Sequence, residues 1–541
     1  MKEPPNSLSS PSHLCSLPCL HVNLCTRGGA FCMLLSLLLI SFAFVAIDSR
    51  KENSVSWFSL DSPLVRESGG GVLLSKSYSI KQGEKNSTKE KFVELQRIED
   101  SGELVINSSH GSSISLPPVA APSTAPMPVP AQRFSSLMND AILAKIRGSG
   151  GRDIKLEKIE YGLARGRAAI REAVQNKSYM PNLPDKDYVP IGPVYRNAYA
   201  FHRSYLEMEK IFKVYVYEEG EPPIFHDGPC RSIYSSEGRF IHSMESDSKL
   251  RTRDPELAHV YFLPFSVVKM VKLIYEPNSH DMEPLRRTVT DYINVIGRKY
   301  PYWNRSIGAD HFMLSCHDWG PYVSSGHGHL FSNSIRVLCN ANTSEGFNPS
   351  KDVSLPEINL KTDSIAGMVG GPSASHRPIL AFFAGGDHGP IRPLLLKHWK
   401  NKDNDIHVNE YLPKGVSYYD MMRKSKYCIC PSGYEVASPR IVEALYLECV
   451  PVTIGDNYVL PFSDVLNWKS FSVQVSKEDI PNLKSILMSI SPRQYIRMQR
   501  RAKIAQRHFM VNSPPKRYDV FHMILHSIWL RRLNVQVHAR A

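Results

Sequence analysis

Short β-rich apolar runs alternate with helical stretches along this chain, and the alternation occurs twice. The first set is FKVYVYE (212–218), HVYFLPF (259–265) and HFMLSCH (311–317). A segment rich in Ser, Gly and Pro, SIAGMVGGPSASHRP (364–378), precedes the second. That set is ILAFF (379–383), IHVNE (406–410), KYCIC (426–430), VPVTI (450–454) and FSVQV (471–475). Helical spacers recur between the runs, one of them near 282–298. Such runs describe strands in parallel sheets covered by helices. Two sets predict an α/β protein of two doubly wound, Rossmann-like domains facing a cleft. Further helices are expected over 153–176, 492–510 and 516–532. A length of 541 residues suits two or three domains with linkers.

The segment ahead of the alternation has a different character. Residues 28–47, GGAFCMLLSLLLISFAFVAI, carry no charge, and about twenty apolar residues are what a helix needs to cross a bilayer. The run is longer than the core of a cleaved signal peptide, so an uncleaved anchor is expected. The Pro/Ala/Ser run LPPVAAPSTAPMPVPAQ (116–132) cannot bury a core. The expected order is therefore a cytosolic tail (1–27), a transmembrane anchor (28–47) and a disordered stalk (48–135). A first α/β domain (136–370) and a second α/β domain with the terminal helices (371–541) follow. Sequons at Asn86, Asn107, Asn176, Asn304 and Asn342 all follow the anchor, which places the body in a lumen. Six cysteines also follow it, with their pairing left open. Cys428-x-Cys430 is too closely spaced for a zinc knuckle and reads as strand packing.

In parallel α/β sheets, ligands bind beyond the C-terminal ends of strands. After ILAFF come Ala384, Gly385, Gly386, Asp387, His388, Gly389 and Pro390, then Arg392 at a helix start. Glycines let the backbone approach a phosphate, and an arginine there can reach it. After KYCIC come Pro431, Ser432, Gly433, Tyr434, Glu435, Val436, Ala437, Ser438, Pro439 and Arg440. Arg440 offers a fork of donors to a diphosphate, and Glu443, one turn on, can accept both hydroxyls of a ribose. The competing reading makes Ser438 a helix cap and Arg440–Glu443 a surface ion pair. Gly385, Gly386, Arg392, Ser432, Glu435, Ser438, Arg440 and Glu443 are thus the candidate donor-binding residues.

A transfer from a phosphate-linked donor would also need a base to take a proton from the accepting group. His317 and Asp318 leave the first set's third strand at the same edge and are the candidate catalytic pair; Trp319 beside them could stack on a sugar. No metal or other cofactor is expected. His311, His317, His327 and His329 lack a firm ligand spacing, and Asp403-Asn404-Asp405 reads as a solvated loop. A zinc hydrolase is the alternative that such residues would require. The net charge of +13 and pI of about 9.1 favour acidic partners. Nucleic acid is not among them for a lumenal body.

The stretches DPELAHVYFLPFS, PYWNRSIGADHFMLSCHDWGP, FFAGGDHGPIRP, YYDMMRKSKYCICPSGYEVASPRIVEAL and CVPVTIGDNYVLPF occur in order from about residue 200 to 490. This part of the chain resembles the exostosin-type (GT47-like) glycosyltransferases, in particular their plant cell-wall branch. The resemblance implies a GT-B-like fold and a Golgi type II anchor. It also implies an inverting transfer from a nucleotide sugar, a UDP-sugar, to a polysaccharide such as pectin or hemicellulose. Ser438, Arg440 and Glu443 fall in the family's donor element, and Gly385, Gly386 and Arg392 in the facing loop. Other Golgi glycosyltransferases are implied partners, and a non-catalytic scaffold subunit is the alternative role. Glu448 departs from the family pattern, in which Gly is frequent.

Overall fold

The computed structural model describes residues 154–177 and 188–538. The expected tail, anchor and stalk lie outside them. Among the described residues, no helix is long and apolar enough to cross a membrane.

Two all-parallel sheets carry the fold. The first contains β1 (Val214–Val216), β2 (Arg251–Thr252), β3 (Val260–Leu263), β4 (His311–Ser315), β5 (Ile335–Leu338) and β6 (Val353–Ser354), ordered β2-β1-β3-β4-β5-β6. The second contains β7 (Ile379–Ala384), β8 (Ile406–Asn409), β9 (Ser425–Pro431), β10 (Val450–Ile454) and β11 (Val473–Val475), ordered β11-β10-β9-β7-β8. Every residue of β3 and β4 is buried, as strands covered on both faces must be. β8, at an edge, alternates buried and half-buried residues. In the second sheet the strand order reverses between β7 and β9, which opens a crevice where the two following loops part.

The helix Glu283–Lys299 buries Leu285, Val289, Tyr292, Ile293 and Ile296 along one stripe and ends in Arg298 and Lys299, which favour a helix C-terminus. The helix Ile154–Asn176 buries Leu156 and Leu163, but its contact face runs through Gly166 and Ala173, and Val174 is exposed. The last helix, Val520–Leu533, is buried almost all round. It returns to the first sheet's elements: Trp529 Nε1 donates to Ser204 Oγ (3.2 Å), and Arg532 Nε donates to the His259 carbonyl (2.7 Å).

β2, β5 and β6 were not expected from the sequence. β2 and β6 are two residues long, and β5 carries a charge in its middle. That charge, Arg336, is fully buried and forks onto Asp352, with Nε 3.2 Å from Oδ1. Glu448 follows the helix Arg440–Tyr446 at φ +54°, the left-handed region that suits glycine. Its carboxylate ion-pairs with Lys503 at 2.8 Å. Of the sequons, Asn176 and Asn304 are exposed. Asn342 is buried and donates to Glu345 (2.9 Å), so a glycan there would displace that contact.

Disulfides join Cys316 to Cys339 and Cys428 to Cys449. Cys428 is therefore more than strand packing, whereas Cys430 is a free, buried thiol. The bonds close segments of 23 and 21 residues, the first just beyond β4 and β5, the second from within β9 to the residue before β10. Loops of that size are restrained by about 3 kcal/mol per bond. Replacing either pair with Ala is expected to lower Tm by roughly 5 °C; a thermal melt unmoved by either replacement would contradict the pairing.

Candidate functional site

The loops that leave β7 and β9 interlock through glycine. Gly389 has φ +69°, and a Cβ there would lie 1.8 Å from the Gly433 carbonyl oxygen. A Cβ on Gly433 would lie 2.8 Å from Arg392 Nη2, and one on Gly385 would lie 2.3 Å from Arg440 Nη2. The glycines therefore make room for two guanidinium groups packed against backbone. A Cβ on Gly386 would meet only the His388 ring, at 3.1 Å.

These loops form one wall of a cavity of about 490 Å³, and the first sheet's loops form the other. Arg392 opens the helix Arg392–Trp399, and Arg440 opens Arg440–Tyr446. Arg440 Nη2 donates to the Ala384 carbonyl at 3.2 Å, and its guanidinium lies over the Phe383 ring. Arg392 Nη1 reaches the Gly386 carbonyl at 3.5 Å. The Nε of both is buried with no hydrogen-bond partner. Burial, then the charge of Arg440, lowers Arg392 to about 10. Two like charges held together under partial burial make a favourable place for an anion.

Four carboxyls face these cations. Glu443 accepts from Tyr418 Oη (3.1 Å), Tyr419 Oη (3.4 Å) and Asn359 Nδ2 (3.3 Å). Burial pushes its carboxyl up, against the pull of Arg440. Asp318 accepts from Tyr234 Oη at 2.7 Å and lies close to Glu435, whose Oε2 is buried with no hydrogen-bond partner. Burial, then the charges of Glu357 and Asp318, push Glu435 far above the carboxylate range. Glu357 is buried with Oε2 unpartnered, and burial and Asp318 push it up as well.

Glu357 makes a separable prediction. Asp318 and Glu443 raise its carboxyl, while Arg440 and Arg392 oppose them. The folded chain holds this proton more tightly than the unfolded chain, so the residue costs stability as pH rises above about 4.5. Glu357→Gln should melt with the wild type near pH 4 and above it at pH 7. Equal melting temperatures at pH 7 would contradict the burial argument.

Arg392, Glu435, Arg440, Glu443 and Asp318 therefore line one cavity. Gly385, Gly386, Ser432 and Ser438 lie in its loops without lining it. Ser438 Oγ is buried and unpartnered, and the following helix is not capped by it. Ser432 packs against Gly455. The 450–456 stretch borders a neighbouring hollow of about 370 Å³ instead, through Thr453, Ile454 and Gly455.

His317 does not line the cavity. Its Nδ1 accepts the Trp319 backbone N–H at 3.1 Å, so the neutral ring carries its proton on Nε2 and has no free lone pair to act as a base. Burial also lowers its affinity for a proton. Trp319 packs edge-on against His317 and Tyr275 and does not line the cavity. The turn itself is anchored by Glu237, a buried carboxylate that accepts the Cys316 N–H (2.8 Å) and the Val268 N–H (3.2 Å).

Elsewhere, Asp403 and Asp405 are both engaged by Lys484, at 2.7 and 2.8 Å. His311 is buried between Tyr217 Oη (2.8 Å) and Asp310 (2.7 Å). No group of three His, Cys, Asp or Glu among the described residues is placed to hold a metal.

Glu357, Asn359 and Lys361 also line the cavity, on the strap that leaves the first sheet. Sequence reasoning passed over them, although their spacing of two would put all three on one face of an extended segment. Tyr234, Tyr418 and Tyr419, which orient Asp318 and Glu443, carried no separate signal.

Fold and site together define a two-sheet α/β protein with an arginine-lined crevice at the strand ends of its second sheet. The Exostosin GT47 domain model matches residues 208–490. "Probable glycosyltransferase At5g03795" of Arabidopsis thaliana is 70% identical over 382 residues, which are 71% of this chain and 73% of that protein. "Probable glucuronosyltransferase Os01g0926600" of Oryza sativa subsp. japonica is 30% identical over 345 residues, 58% of this chain and 80% of that one. A solved glycosyltransferase from Rickettsia africae aligns over 58% of this chain and 96% of its own, at 9% identity and a TM-score of 0.28. The chain belongs to the exostosin GT47 family and is a glycosyltransferase.

Proposed function

We propose that the chain is an inverting transferase of GT-B type. It moves a sugar from a UDP-sugar to a cell-wall polysaccharide, pectin or hemicellulose, from a type II position in the Golgi membrane with its body in the lumen. The observation that carries this reading is the pairing of Arg392 and Arg440, each with an unpartnered Nε, opposite a group of carboxyls across one cavity. The arginines would hold the donor's diphosphate and neutralise it as it leaves, without a metal. Glu443, set by two tyrosines, would take the ribose hydroxyls. Asp318 would accept the proton of the acceptor hydroxyl while that oxygen bonds to the anomeric carbon and the bond from that carbon to the diphosphate oxygen breaks. Tyr234, whose phenol is kept protonated by burial and by Asp318, would orient that carboxylate.

Support for the Golgi placement is the uncharged run at 28–47 and the sequons beyond it. The basic balance of the chain suits an acidic acceptor. The test is turnover of a panel of sugar nucleotides by the purified chain after chelator treatment. Release of UDP from one of them, lost in Glu443→Ala, is expected. Turnover that needs added metal would overturn the metal-free reading, and no turnover or binding of any donor would overturn the proposal.

A further inference from the structure

The helix Pro492–Gln506 carries Arg493, Arg497, Arg500, Arg501 and Lys503, and Arg507 follows it. No Asp or Glu occurs from Pro492 to Phe509. The helix buries Tyr495, Met498, Gln499, Ala502, Ala505 and Gln506 against the protein. At 3.6 residues per turn, Arg493, Arg497, Arg500 and Arg507 fall in one strip on the opposite face, and all four are exposed. Arg501 reaches the Ser470 carbonyl, Lys503 pairs with Glu448, and Arg507 lies over the Tyr188 ring. Arg493, Arg497 and Arg500 make no hydrogen bond or ion pair with any described residue. Solvated helix faces usually interleave the two signs of charge; this one carries only one sign.

A groove of about 700 Å³ opens beside the strip. Leu380, Lys426, Tyr427, Met488, Tyr495 and Ile496 line it, so Tyr495 and Ile496 belong to both helix and groove. The phenol oxygens of Tyr427 and Tyr495 are buried without a hydrogen-bond partner. Lys426 stands near the start of β9, whose far end, Pro431, leads to the donor cavity. At about 3.3 Å per residue, the groove and the cavity lie at opposite ends of β9, on the order of 17 Å apart.

We propose that this strip and groove form an accessory binding surface for a polyuronide, a polysaccharide carrying a carboxylate on each sugar. Guanidinium forks match carboxylates in shape and charge. Arg493, Arg497 and Arg500 succeed one another by about 6 and 4.5 Å along the helix axis, a step comparable to one sugar ring. The groove offers an apolar floor for the C–H face of a ring, and rearranged tyrosine phenols can meet its hydroxyls. A membrane surface fits less well, because a helix adsorbed to lipid turns its apolar face outward and this helix buries that face. The surface stands apart from the transfer chemistry. A chain held on it would raise the local concentration of acceptor at the cavity.

The test uses the full chain in detergent, with polygalacturonate as probe and dextran as the neutral control. Wild type should bind polygalacturonate and not dextran, and binding should weaken as NaCl is raised. R493E/R497E/R500E should raise the apparent Kd by about tenfold or more, with the corresponding triple Gln variant in between and all melting temperatures equal. A triple Glu variant within twofold of wild type, binding indifferent to salt, or equal binding of dextran would overturn the proposal. So would a wild type that differs from the variant on phosphatidylserine vesicles but not on polygalacturonate, which would assign the strip to a membrane. If the Glu variant does not fold, the Gln variant and the salt series decide alone. A UDP titration of the same samples reports separately on the donor cavity, so failure there leaves this result intact.

Discussion

Asp318→Asn should lower kcat by about 10²–10⁴, the usual contribution of a positioned base, while binding of UDP stays within a few fold of wild type. Asparagine keeps the shape of the side chain and still accepts from Tyr234, so the loss isolates the missing proton acceptor. His317→Ala is the control. It removes the cap on the Trp319 N–H and loosens the turn, and it should cost less than about tenfold because that ring has no free lone pair directed at the cavity. A reversed order, with His317→Ala the more damaging in kcat, would move the base one residue back and contradict the assignment. Steady-state kinetics with the best donor of the panel reads both variants.

The second large effect is expected at a residue that has no side chain. Gly389→Ala places a methyl 1.8 Å from the Gly433 carbonyl, and does so at a φ of +69° that alanine tolerates poorly. Neither partner is a flexible side chain, so relief requires the loops after β7 and β9 to separate. Because Arg392 is packed against Gly433 and Arg440 against Gly385, separation displaces both guanidiniums. Activity should fall by more than about 100-fold, the scale of a lost charge-stabilising group. Gly386→Ala meets only a histidine ring and should retain most activity. Equal activity in the two variants would show that the interlock does not position the arginines.

The contrast between these glycines shows where sequence reasoning stopped. A Gly-Gly pair after an apolar strand marked the loop but drew attention to Gly386, when the tight contacts belong to Gly385, Gly389 and Gly433. Close approach is a property of two loops together, and neither loop alone reports it. The long buried strands were legible because burial on both faces leaves unbroken apolar runs. β5 was not, because Arg336 interrupts it and its compensating partner, Asp352, is sixteen residues away. Among the acids, Glu435 and Glu443 stood beside an obvious strand end. Glu357 sits on an irregular strap whose direction depends on bridges from Ser232 to Leu360 and from Tyr234 to Ile358. His317 and Asp318 are neighbours in sequence, and only the Nδ1 contact and the position of the cavity separate their roles.

The central claim is that Arg392 and Arg440 together make the donor's diphosphate site. Calorimetric titration of UDP into wild type and into Arg392→Ala/Arg440→Ala tests it directly. Loss of two charge-assisted contacts, about 1.5–3 kcal/mol each, predicts binding weakened by at least about 100-fold. UDP bound by the double variant within threefold of wild type, in a chain with an unchanged melting temperature, would place the diphosphate elsewhere.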